Sequence, residues 1–237
     1  MRHGRWASMT RQINDSVLMS SVPGASQAMR ICVFVDYWNL QLTLNKRLGE
    51  VRKDDDFRAK IDWKGLGALF SQEAANVIAG VGTAHSYEGT YIYTSYNPKT
   101  DDGKKFKQWA TTWLDRQPGI NVQARERKPK ALPKCNTCHR EITHCPHTGC
   151  GHPIVQTVEK GVDTLLATDL IRLAVSNAYD VAVIATLDAD MLPAVEFVQS
   201  GGKKIIQAGF PPMGVDLATE CWGSFDVMKI AAQIQRP

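Results

Sequence analysis

At 237 residues, with 43% hydrophobic and 22% charged side chains, the chain has a globular composition and room for one sizeable α/β domain plus an extra segment; collagen-like, coiled-coil and disordered classes are excluded. No apolar run approaches the roughly 18–20 residues that span a bilayer, and Val17-Leu18-Met19 is too short for a secretory leader, so a cytoplasmic chain with no membrane partner is expected. The net charge of +4 is uneven: residues 101–134 carry nine basic and four acidic side chains, residues 135–237 seven and eleven. A middle that grips a polyanion before a half that holds cations fits this pattern, and so does a solvated basic loop.

Residues 1–29 lack sustained periodicity and contain Ser20, Ser21, Pro23, Gly24 and Ser26, which reads as a flexible tail; Met29 offers a second place for translation to begin. Residues 30–237 read as one domain. Ile31-Cys32-Val33-Phe34-Val35 is a continuous apolar run, the pattern of a strand buried on both faces, and a helix follows from about Asn39. A second helix fits Trp63–Ile78, a strand Thr90–Thr94, a loop Pro98–Gly103, a helix Lys104–Arg116 and a short strand Ile120–Ala124. After a cysteine-rich stretch come a helix over Val162–Asn177, a buried strand Val181–Ala185, a helix Met191–Ser200 ended by Gly201-Gly202, and a strand Lys204–Gln207. A last strand near Phe225-Asp226-Val227 and a C-terminal helix complete the chain. Alternating strands and helices predict a mainly parallel central sheet covered by helices on both faces.

Ligands of such sheets bind beyond the carboxyl ends of the strands, and two buried strands here end in acid. The first runs into Asp36, the later one into Thr186-Leu187-Asp188-Ala189-Asp190, and Asp163 opens the strong helix. Each alone has a plain structural role: Asp163 as a first-turn acid, Asp188 or Asp190 as a helix cap. Together they would repel one another unless a divalent cation neutralised them. Mg²⁺ takes one or two carboxylates directly beside substrate phosphate, and such an ion activates water for phosphodiester hydrolysis.

Asp36-x-x-Asn39, Glu159-Lys160-Gly161-Val162-Asp163 followed by Ala167-Thr168-Asp169, and Asp188-Ala189-Asp190 resemble, in order and spacing, the signatures of the NYN domain family, the PIN-like nuclease group, in its LabA-like branch. The resemblance covers roughly residues 30–230. It implies a PIN-like α/β fold and Mg²⁺- or Mn²⁺-dependent cleavage of RNA, with Asp36, Asp163, Asp188 and Asp190 as catalytic acids. Of these, Asp36, Asp163 and Asp188 would hold the metal, and Asn39 would be a polar partner of substrate or metal. At the third motif the family commonly has Ser-Gly-Asp-Ser-Asp-Phe; here Leu187 stands for the glycine and Ala189 for the second serine.

Residues 130–154 form a candidate zinc insert. Cys135-x2-Cys138-x6-Cys145-x4-Cys150 offers four thiols on two short turns, and with no secretory leader such a cluster reads as a metal site rather than disulfides. A closed Zn²⁺ site of this kind is structural, and His139, His144, His147 or His152 could replace one cysteine. Arg125, Arg127, Lys128 and Lys130 are phosphate-contact candidates, and Lys160 either touches phosphate or neutralises the acids. Trp109 and Trp113, at i and i+4, read as core stripe or as base-stacking platform; Tyr37 and Trp38 pose the same choice. The leading expectation is a metal-dependent ribonuclease with RNA as partner. A non-catalytic RNA- or protein-binding module of the same fold and a phosphatase using the same acids are its rivals; a homodimer or protein partner is compatible with each.

Overall fold

The computed structural model describes residues 28–236; the expected tail falls almost wholly outside them. Six strands form one parallel sheet: β1 (Met29–Asp36), β2 (His85–Tyr96), β3 (Ile120–Glu126), β6 (Val181–Ala185), β7 (Lys204–Gly209) and β8 (Gly223–Asp226). A two-stranded ribbon of β4 (Lys128–Pro129) and β5 (Thr157–Val158) lies between β3 and β6 in sequence. Strand order is β3-β2-β1-β6-β7-β8, so the chain winds outward first to one side of β1 and then, from β6, to the other. The reversal leaves a crevice between the carboxyl ends of β1 and β6.

Burial on both faces explains why β1 is apolar throughout. Ile31, Val33 and Val35 point into one core layer, with Leu66, Phe70 and Ala74 of α2 (Trp63–Ala79). Cys32 and Phe34 point into the other, with Leu166 and Leu170 of α4 (Val162–Val175) and Val195 of α5 (Leu192–Ser200). Helix α2 packs so closely that a Cβ at Gly67 would collide with Thr90 Oγ1.

Helix starts follow their caps. Asp36 caps α1 (Tyr37–Arg52) by accepting the Asn39 N–H at 3.1 Å, and Asp62 accepts the Lys64 N–H at 3.3 Å. Thr100 caps α3 (Asp101–Trp109) through the Gly103 N–H, so the helix begins inside the stretch expected as loop. It ends in a wider π-turn over Ala110–Leu114 rather than running on as α-helix to Arg116. Other differences are local. β2 extends beyond Thr90–Thr94 at both ends, a short α6 (Val215–Glu220) lies between β7 and β8, and the C-terminal helix is a 3₁₀ turn at Val227–Ile230. Among the described residues no helix is long and apolar enough to cross a membrane.

Candidate active site

The strand ends bring the acids to one place. A cleft of about 330 Å³ at the β1/β6 crevice is lined by Asp36, Asn39, Glu159, Asp163, Leu187 and Asp188, with Trp38 and part of α1 beside them. Asp36 arrives at the end of β1 and is 6% exposed. Gly161, in the left-handed conformation at φ 81°, turns the chain into α4 so that Asp163 sits in its first turn at the cleft. Asp188 follows β6 and caps a 3₁₀ turn at Ala189–Met191, accepting the Asp190 N–H at 2.9 Å. Asn39 ties the two sides together: its Oδ1 accepts the Leu187 N–H at 3.2 Å, 148 residues away in sequence.

The electrostatics is that of acids lacking counter-charge. Burial above all, with Glu159 and Asp163 adding to it and the Asn39 N–H opposing it, pushes the Asp36 carboxyl up to about 7. Asp163 is raised as well, by burial and then by Asp188 and Glu159. Among the described residues neither Asp36, Asp163 nor Asp188 forms an ion pair. The acids interact without closing into a cage: among the described residues, no three His, Cys, Asp or Glu side chains are drawn together tightly enough to hold an ion as they stand. Mutual repulsion favours that spacing. The donor set still fits Mg²⁺ or Mn²⁺, because these ions bind through one or two carboxylates and keep several waters.

Glu159 is the cleft residue that sequence reasoning did not nominate. Its carboxylate accepts from Ser95 Oγ on β2, 64 residues away, and meets Arg127 at 3.9 Å. Arg127 also donates to Ser95 Oγ at 2.9 Å and lies over the Trp38 ring at 5.4 Å, while the Trp38 indole N–H donates to the Ser95 carbonyl at 2.7 Å. Glu159 opens the second motif that carries the family resemblance, but within that motif site roles went to Lys160 and Asp163 and none to Glu159. Lys160, Asp190, Arg125, Lys128 and Lys130 are exposed and do not line the cleft. Asp190 stands near enough to raise Asp163 slightly, so it belongs to the rim.

No residue from 127 to 161 is buried, so the cysteine insert has no core of its own. It consists of two hairpins built alike. In the first, the Cys135 N–H donates to Arg140 O and the Ile142 N–H to Pro133 O; in the second, the Cys145 N–H donates to His152 O and the Ile154 N–H to Thr143 O. The residue after each second cysteine, His139 or Gly151, is left-handed at φ 56°. Cys135 is held below the usual thiol range by the backbone N–H groups of Cys138 and Thr137, then by the Cys138 thiol. Cys150 is lowered by the His152 N–H and by the Cys145 thiol. The expected four-thiol site therefore appears as two separate thiol pairs, Cys135/Cys138 and Cys145/Cys150, with all four cysteines free.

Comparison with known proteins matches residues 30–221 to the NYN domain family model. A crystal structure of a protein of unknown function from Vibrio parahaemolyticus is similar in fold, with a TM-score of 0.50 and 15% identity over 86% of this chain and 96% of that one. No curated protein matches the chain.

Proposed function

The chain belongs to the NYN domain family, which generally comprises nucleases, and on that premise we propose that it is a divalent-metal-dependent ribonuclease. One observation carries the proposal: Asp36 is buried at the sheet's switch point, faces Glu159 and Asp163, and has a carboxyl pushed up to about 7 with no cation beside it. Asp36, Asp163 and Asp188 would hold Mg²⁺ or Mn²⁺. The bound ion would offset the charge of the scissile phosphate and lower the pKa of the attacking water. Arg127, fixed by Ser95 and Glu159, meets a phosphate at the rim, and exposed Arg125, Lys128, Lys130 and Lys160 extend contact along the strand. In hydrolysis the water oxygen would bond to phosphorus as one of its protons passes to a cleft carboxylate, the bond to the leaving ribose oxygen would break, and that oxygen would take up a proton from water. Asn39 acts by position, holding the Asp188 turn against α1.

The test is incubation of end-labelled RNA with Mg²⁺ or Mn²⁺, with EDTA, and with Asp36→Asn. Cleavage is expected to need the ion and to fall at least about a hundredfold in the variant. Equal cleavage in EDTA or by Asp36→Asn overturns the metal site. Leu187 favours one rival reading, a binding module, because its side chain lines the cleft where the family pattern has glycine. That reading predicts salt-dependent RNA binding, unchanged in Asp36→Asn, without turnover.

For the insert, the matching hairpins and paired thiols support a structural Zn²⁺ site that closes when the metal draws the two pairs together. Purified protein is expected to carry about one zinc per chain, lost in Cys138→Ser. A zinc chelator is expected to open residues 131–156 to trypsin. Zinc-free protein with unchanged trypsin resistance overturns this reading.

A further inference from the structure

A second concave surface lies next to the acidic cleft and is chemically its opposite. It is an open groove of about 450 Å³ whose floor includes Tyr37, Trp63, Phe106 and Trp109, and whose rim carries Lys60, Lys105 and Arg236. Its lining contains no carboxylate, and among the described residues none of those three cations forms an ion pair. Tyr37 and Trp63 stack with ring centres 4.7 Å apart. The rings also continue into the cleft: Trp38, which lines it, meets Phe106 at 5.0 Å, Phe106 meets Trp109 at 5.7 Å, and Trp109 stacks on Trp113 at 6.0 Å. Lys64 and Arg236 lie over the Trp113 ring at 5.2 and 5.6 Å.

Phe106, Trp109 and Trp113 are each only partly buried: one side packs on the core, the rest remains open. The core reading of the tryptophans therefore accounts for one side of each ring and leaves the other side open. Aromatic faces bordered by cations that have no carboxylate partner among the described residues suit a chain of flat bases joined by phosphates. Every base offers a π-face, so such stacking is sequence-tolerant, while the cations track the backbone. The Gln41 side chain, which also lines the groove, donates to Asn45 Oδ1 and Ala59 O at 2.8 and 2.9 Å, leaving its carbonyl oxygen as an acceptor for a base edge.

We propose that this groove is a stacking subsite for unpaired bases of single-stranded RNA, lying along the strand from the scissile phosphate. The assignment rests on the ribonuclease reading for the nature of the strand. It makes the substrate single-stranded on the groove side of the cut, because paired bases have no free face to offer.

The experiment measures anisotropy of a short fluorescein-labelled RNA in EDTA, as single strand and as duplex, with wild type, Trp109→Ala and Lys105→Glu, alongside photocrosslinking with 5-iodouridine RNA. Trp109→Ala is expected to weaken single-strand binding about tenfold and leave duplex binding unchanged. Lys105→Glu, at an exposed side chain that does not threaten the fold, is expected to weaken binding and lower the salt slope by about one. Crosslinks are expected within residues 37–63 or 105–113. Single-strand binding unchanged in both variants, no binding by wild type, or crosslinks elsewhere overturns the proposal. Should Trp109→Ala fail to fold by circular dichroism, Lys105→Glu and the crosslinks decide. Cleavage by wild type with unaltered groove variants would remove the groove and leave the ribonuclease. Impaired binding by the groove variants with no turnover by wild type would do the reverse.

Discussion

Strands β1 and β6 carry an aspartate problem at each end and solve it in opposite ways. At the amino end, Asp180 receives Arg30 three times, Nη2 to Oδ1 at 2.8 Å and both Nε and the backbone N–H to Oδ2 at 3.0 Å, with Lys203 at 3.5 Å. Hydrogen bonding from the Arg30 guanidinium, opposed by burial and helped by the Arg30 N–H, holds Asp180 at about 2. At the carboxyl end Asp36 is more deeply buried, receives a backbone N–H, faces two further acids, and is pushed up to about 7. The fold can supply a cation where it needs stability. At the cleft it leaves a deficit of positive charge, which is the feature that supports the proposed binding site.

The contrast is broken most severely by Asp36→Asn. Folded Asp36 keeps its proton up to about pH 7 but loses it near 3.8 when unfolded, so without divalent ions the folded chain loses stability as pH rises from about 4 to 7. Asparagine caps a helix as well as aspartate and does not titrate. In urea unfolding at pH 8 with EDTA, Asp36→Asn is expected to be more stable than wild type by roughly 2–4 kcal/mol, with no gain at pH 4. Added Mg²⁺ should close the gap by stabilising the wild type. A less stable variant at pH 8 would show that Asp36 is already neutralised.

Asp180→Asn should act with the opposite sign and less strongly. Its pKa is depressed, so its contribution is present above about pH 4 and lost as pH falls through about 2. The side chain is 40% exposed, so water screens the pair and the loss at pH 7 is expected near 1 kcal/mol, shrinking in high salt. Thermal melts across pH and ionic strength check this, and RNA cleavage should not change.

Where sequence and structure agree, one physical cause dominates. Ile31–Val35 and Val181–Ala185 are apolar at every position because both faces are buried, so strand, sheet type and the placing of Asp36 and Asp188 were all legible. Glu159 was not legible, because its role depends on Ser95 and Arg127, brought to it by pairing of β2 with β3. The insert divides along the same line. Four cysteines in two turns announce thiol ligands, but whether the turns meet depends on contacts that an apolar-poor segment lacks. Trp109 and Trp113 show a third case, where helical spacing marks one side as core and says nothing of the side left open.

The hydrogen bond between Asn39 and Leu187 spans 148 residues, and the strands it joins lie at the centre of the sheet. A nascent chain that has passed Asp36 and even Asp163 still has no cleft, because its second wall, β6 and the Asp188 turn, is synthesised only after them. Whatever this cleft binds, it can bind only once β6 has paired with β1.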